Sequence, residues 1–166
     1  RLNLVLKNKP LPPVTRDPLP AAARLLQEGN RWQTAQQWAK AEKAFHDALA
    51  ADPHCFAAAY GIAHACRARG DRAGAFKAFL KAIELGPGNM DPFYQAAMLA
   101  YELRNFAEAG RLADKLIAAW PSHAPSYALM ASIRSAEGRP AEARAYGEYY
   151  VAIAPAGQQR DRYAAW

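Results

Sequence analysis

Four histidines (His46, His54, His64 and His123) and two cysteines (Cys55 and Cys66) are the side chains best suited to hold a metal or to carry a nucleophilic step. Their spacing serves neither purpose. A metal site draws three or four ligands to one point, and His64-Ala65-Cys66 is a lone pair with no second pair at metal spacing to complete it. There is no glycine-rich phosphate loop and no strand-borne nucleophile with a base beside it. On one helix, residues as far apart as Cys55 and Cys66 are separated by about 16 Å at ~1.5 Å per residue, beyond the reach of a disulfide. The expectation is a chain that is not an enzyme and has no catalytic residue, no cofactor and no metal. Two unpaired thiols point to a reducing compartment and so favour a cytoplasmic location. What remains is the chemistry of recognition, which needs side chains held in rows.

The element that could hold such rows is a repeat. Proline stands at 53, 87, 121 and 155, an unbroken step of 34 residues. From about Ala21 the chain is alanine-rich and helix-periodic, and turn signals fall midway through each step at Gly70-Asp71, Arg104-Asn105 and Gly138-Arg139, with Gln36-Gln37 as a weaker version. Pro140 follows the last of these turns, where a first helical residue needs no N–H. Each unit therefore reads as helix A, tight turn, helix B and a proline-marked connection. The units are 22–55, 56–89, 90–123 and 124–157, within an array spanning 21–157.

Position by position, the units behave as packed copies. The eighth position holds Gly29, Ala63, Ala97 and Ala131, and the twentieth holds Ala41, Ala75, Ala109 and Ala143, so two helices can approach closely there. The twenty-fourth and twenty-seventh positions pair Phe45 with Ala48 and Phe79 with Ala82, then Ala113 with Leu116 and Gly147 with Tyr150. Large and small residues trade places while volume is kept, which a packed inter-helix layer requires.

This period with these small residues resembles the tetratricopeptide repeat over four units, from about residue 22 to 157. The family's tryptophan near the start of helix A is replaced by Leu25, Ala59, Phe93 and Tyr127, and its tyrosine at the eleventh position survives only as Trp32. The resemblance implies an all-α, right-handed superhelical solenoid of four antiparallel helix pairs. It also implies a concave groove lined by helix A, where the outward positions are Leu26, Asn30, Gln33 and Thr34; Tyr60, His64 and Arg67; Asp91, Tyr94, Met98, Tyr101 and Glu102; and Ser132 and Ser135. The candidate partner-binding residues are Asn30, Tyr60, His64, Arg67, Tyr94, Met98, Tyr101 and Ser132. Tyrosine offers a broad ring and a hydroxyl at low entropic cost, methionine repacks, and arginine grips a carboxylate with two prongs. That mixture suits an extended or helical peptide of a protein partner. The family's clamp for chaperone C-terminal carboxylates uses Lys, Asn, Asn, Lys and Arg. Here those positions hold Leu26, Asn30, Gly61, Asp91 and Gln95, so that specificity is not expected.

The surroundings limit the reading further. The net charge of +6 arises from 21 basic and 15 acidic residues, a mixed surface that favours acidic partners and argues against nucleic acid. Lys43, Lys77 and Arg111 form a ladder on helix B with no aromatic interleaving to stack bases. No apolar run is long enough to span a membrane. Residues 1–20, with alternating Leu2, Leu4 and Leu6 followed by Pro10, Pro12, Pro13, Pro18 and Pro20, read as an extended proline-rich arm that could close a homodimer by exchange. Residues 158–166 read as the start of a capping helix. A first residue that is not methionine and a short cap raise a second expectation, a targeting domain from a larger enzyme such as a bacterial glycosyltransferase. A third is a secretion chaperone, because Gly61-Ile62-Ala63-His64-Ala65-Cys66-Arg67 is similar to the second helix pair of small type III secretion chaperones.

Overall fold

The computed structural model describes residues 17–154, and every regular element among them is an α-helix. In chain order these are α1 (Pro20–Thr34), α2 (Trp38–Ala51), α3 (Phe56–Ala68), α4 (Arg72–Leu85), α5 (Met90–Glu102), α6 (Phe106–Ala119), α7 (Ala124–Ala136) and α8 (Pro140–Ile153). The expected capping helix, most of the expected N-terminal arm and the dimer contact through Leu2, Leu4 and Leu6 lie outside the described residues. At its inner end the arm is shorter than expected, since Pro20 opens α1 instead of excluding a helix. A proline fits the first helical position because its missing N–H has no intrahelical partner there and its φ is already helical.

The described chain falls into two compact units, divided between Leu99 and Ala100 within α5. In the first, α1 packs on α2, α2 on α3 and α3 on α4, with α1 also touching α3. In the second, α6 packs on α7 and α7 on α8.

The same hydrogen bonds recur at each step of 34. At the end of each first helix of a pair, the amides of Gln37, Asp71, Asn105 and Arg139 reach back to the carbonyls of Trp32, Cys66, Ala100 and Arg134. The residue before each amide lies in the left-handed region: Gln36 at φ 55°, Gly70 at 83°, Arg104 at 59° and Gly138 at 74°. This is the Schellman ending, which satisfies carbonyls a helix terminus would otherwise leave open. Two of the following helices gain a side-chain cap, with Asp71 accepting from the Gly74 amide at 2.8 Å and Asn105 from the Glu108 amide at 3.3 Å. Gln37 and Arg139 stand at the matching positions without one.

The expected close-packing positions are buried. Ala41, Ala75, Ala109 and Ala143 are all fully covered, as are Ala63, Ala97 and Ala131. Phe45 and Phe79 fill their layers beside Ala48 and Ala82, while in the second unit Leu116 sits beside Ala113 and Tyr150 beside Gly147. Asp52 is a buried polar residue at the connection after α2. Its carboxylate accepts the Leu19 amide at 3.2 Å and the His54 amide at 3.1 Å, so it ties the start of α1 to the turn.

Candidate functional site

Tyr60, His64 and Arg67 are spaced four and then three residues apart on α3, so they form one row along that helix. On the opposite side Ala58, Ile62 and Ala65 are buried, and they fix which face of α3 remains partly open. The row is held by α5 from its side. The Tyr60 hydroxyl donates to Asp91, Gln95 Nε2 donates to Asp91 Oδ1 at 3.2 Å, and the Arg67 guanidinium donates to Gln95 Oε1. Asp91 lies in the first turn of α5, where the helix dipole favours its charge. A continuous polar chain thus runs Tyr60, Asp91, Gln95, Arg67.

Rings support the other side of the row. Tyr60 stacks on Phe56 at 5.6 Å between centroids and meets His64 edge-on at 4.4 Å. The buried Phe79 ring lies edge-on to both, 5.9 Å from Tyr60 and 5.4 Å from His64. Burial raises the Tyr60 phenol above its ordinary range, and the Asp91 hydrogen bond adds to the shift, so the group stays a neutral donor. Burial lowers the His64 pKa, and the Arg67 charge pushes the same way. His64 Nε2 is buried without a hydrogen-bond partner among the described residues.

The remaining sequence candidates are placed as follows. Asn30 is exposed near the end of α1, and its backbone carbonyl accepts the Thr34 hydroxyl at 2.9 Å. Tyr94 and Met98 are half-buried on α5. Tyr101 and Ser132 belong to the unit from residue 100 onward, Tyr101 with its ring 5.7 Å from Phe106 and Ser132 donating to the Ala128 carbonyl at 3.0 Å. Leu26, expected to face the groove, is instead a core residue. It shares the buried flank of α1 with Ala22 and Gly29, four before and three after it, and an aliphatic side chain on that flank gains more from burial than from exposure.

Two functional features were not apparent in the sequence. Tyr60 commits its hydroxyl to Asp91, so it offers a partner its ring rather than a free donor. Gln95 was expected only as a departure from the carboxylate clamp, yet it is the group that steers Arg67. The ladder on the second helices is not a bare basic stripe either. Lys43 pairs with Asp47 at 2.9 Å and Arg111 with Glu108, both at exposed positions where such pairs contribute little. Among the described residues, no three His, Cys, Asp or Glu side chains gather to hold a metal. Cys55 and Cys66 are free and buried, and burial pushes the Cys66 thiol up to about 11, which leaves it a poor nucleophile. No helix among them is long and apolar enough to cross a membrane.

A family model described as "Tetratricopeptide repeat" matches residues 21–89 and 94–157. No curated protein matches the chain in sequence. Among solved structures, MamA from Desulfovibrio magneticus RS-1 is similar at a TM-score of 0.76 and 16% identity, over 84% of this chain and 78% of that one. A structure of PilF from Pseudomonas aeruginosa is similar at 0.65 and 18% identity, over 81% of this chain and 61% of that one. A chain of the APC/C hetero-tetramer Cut9–Hcn1 is similar at 0.64 and 17% identity, over 80% of this chain and 25% of the other. At these identities the likeness is one of fold.

Proposed function

The chain belongs to the tetratricopeptide repeat family, whose fold serves generally as a protein-interaction module, and on that premise we propose that it binds a peptide segment of a partner protein in a groove centred on Tyr60, His64 and Arg67. Tyr94 and Met98 on α5 contribute apolar surface and Asn30 on α1 a polar contact, while Tyr101 and Ser132 offer further recognition side chains within the unit from residue 100 onward. The observation that carries this reading is the polar chain from Tyr60 through Asp91 and Gln95 to Arg67. It fixes the rotamers of the two largest recognition side chains before any partner arrives, so less side-chain entropy is lost on binding. Arg67 has five N–H donors and commits one side of its guanidinium to Gln95, which leaves donors for a carboxylate or for peptide carbonyls. Binding here is recognition by buried surface, with Tyr60 and Arg67 as the anchors. A similar fold occurs in a hetero-tetramer, which favours a protein as the partner class.

The test is affinity capture from the source cells with this chain as bait, beside a Tyr60→Ala, Tyr94→Ala variant, with mass spectrometry to identify what is held. A partner retained by the parent and released by the variant supports the groove. Equal retention by both refutes it.

A further inference from the structure

A second surface is chemically more pointed than the groove and shares no lining residue with it. In the unit from residue 100 onward, a cavity of about 380 Å³ opens between α6 and α8 above α7. Asp114 and Ile117 of α6, Tyr127 of α7, and Glu142, Tyr146 and Tyr149 of α8 line it. The volume lies within the range of small-ligand pockets. Tyr127 and Tyr149 stack nearly parallel, 5.6 Å apart at 8°, so two ring systems already form a wall.

Two periods of 34 earlier, the matching helices α2, α3 and α4 frame a cavity of about 340 Å³. There the matching residues are His46, Leu49, Ala59, Gly74, Ala78 and Lys81. The earlier cavity balances its carboxylates Glu42 and Asp71 with Lys77 and Lys81 and has no tyrosine in its lining, whereas the later one is lined by three tyrosines and two carboxylates with no lysine or arginine. Packing does not demand the tyrosines of α8, since α3 pairs with α4 as closely as α7 pairs with α8 without them. The difference is one of chemistry.

Charge accounting gives that chemistry its sign. Three carboxylates gather here, Asp114, Glu137 and Glu142, against two guanidinium groups, Arg134 and Arg139, which leaves one negative charge over. Glu142 is taken by Arg139, whose Nε stands 2.7 Å away, and lies 3.4 Å from Arg134 Nε. Glu137 holds Arg134 at 2.8 Å. Asp114 is left with Arg134 at 3.9 Å, too long for a strong charge-assisted bond, while its side chain is 58% exposed and reachable. Partial burial raises the Asp114 carboxyl above its ordinary value and the Glu137 charge adds to this, while Arg134 pulls the other way.

We propose that this cavity receives a lysine or arginine side chain from a basic segment of a partner protein, with Asp114 taking its charge and the rings of Tyr127, Tyr146 and Tyr149 enclosing its stem and cationic head. A cation against tyrosine faces is attracted by the ring quadrupole, and more so once water is excluded. The apolar wall at Ile117 suits the methylene stem that both side chains carry. An acidic aromatic pocket on a chain of net charge +6 selects a basic segment against the repulsion of the molecule as a whole, which makes it a local and specific site.

The probe is a fluorescein-labelled heptapeptide, Gly-Ser-Arg-Gly-Lys-Ser-Gly, with a counterpart carrying glutamate at both charged positions, read by fluorescence anisotropy at physiological salt. The basic peptide should bind, and the acidic one should not. Asp114→Asn and Tyr149→Ala, both at exposed side chains that leave the core intact, should each weaken binding about tenfold. Lys77→Ala at the matching earlier cavity, and Tyr60→Ala in the groove, should leave it unchanged, so that this reading and the groove reading fail separately. Absence of binding at millimolar peptide, equal binding of the acidic peptide, or undiminished affinity in both Asp114→Asn and Tyr149→Ala would overturn the proposal. So would a concentration-dependent mass abolished by Lys77→Glu with Lys81→Glu, which would assign the cavity to a second copy of this chain.

Discussion

The ring of Phe45 lies so close to Gly29 that a Cβ placed there would stand 2.5 Å from its Cε1. Gly61 meets the same ring, with a Cβ at 2.8 Å from Cδ1. One phenylalanine thus occupies space left by two glycines on different helices, and it is 1% exposed. Gly29→Ala should overpack this layer and cost about 1–3 kcal/mol in urea denaturation. Gly110→Ala is the control: the nearest atoms to its added Cβ are 3.6 and 3.9 Å away, and the gain in helix propensity should leave stability equal or higher.

The four left-handed residues after the first helix of each pair are not chemically equal. Gly70 and Gly138 adopt positive φ freely, whereas Gln36 and Arg104 do so against their Cβ atoms. Gln36→Gly should therefore raise stability by about 0.5–1 kcal/mol. Gly70→Ala should lower it by about 1 kcal/mol although nothing lies within 4 Å of the new methyl, since only the backbone resists. Paired denaturation curves measure both, and a cost at Gln36→Gly would contradict the account.

Asp52 holds two backbone amides from inside the protein. Asp52→Ala should leave those donors unsatisfied and cost about 1–3 kcal/mol, with the loss felt first at the start of α1. Hydrogen exchange at Ala23 and Arg24 would show it as faster opening there than in α4.

His64 predicts a pH effect of definite sign. Its pKa is depressed below the ordinary 6.5, so the folded chain prefers the neutral ring. The unfolded chain then binds more protons near that pH, and stability rises with pH through the window. The contribution is complete above about 6.5 and is lost as pH falls through that value toward the folded one. The denaturation midpoint should drop between pH ~7.5 and ~5.5, and His64→Gln should reduce the slope. An unchanged slope in the variant would assign the effect elsewhere.

Much of the architecture was legible because it rests on short-range sterics repeated at a fixed step. Alanine at 41, 75, 109 and 143 marks the close approach of two helices whatever the larger neighbours are. The turns at Gln36 and Arg104 carry no glycine and could be read only from their register with Gly70 and Gly138. Leu26 shows where positional reasoning fails, since a groove position in the family's pattern became core once its flank also carried Ala22 and Gly29. The bond from Tyr60 to Asp91 joins residues 31 apart, a pairing no local pattern encodes. The tyrosine cavity was equally hidden, because its residues come from three helices and only comparison with the lining two periods earlier separates them from packing.

The groove itself is tested most directly by calorimetric titration of the captured partner's peptide into the parent chain, the Tyr60→Ala, Tyr94→Ala variant and a Lys43→Ala, Arg111→Ala variant. The account predicts an affinity loss of about a hundredfold or more for the tyrosine pair, as expected when an anchor ring and the apolar surface beside it are both truncated, and a change of less than about threefold for the basic pair. Equal affinity in the parent and the tyrosine variant would contradict it.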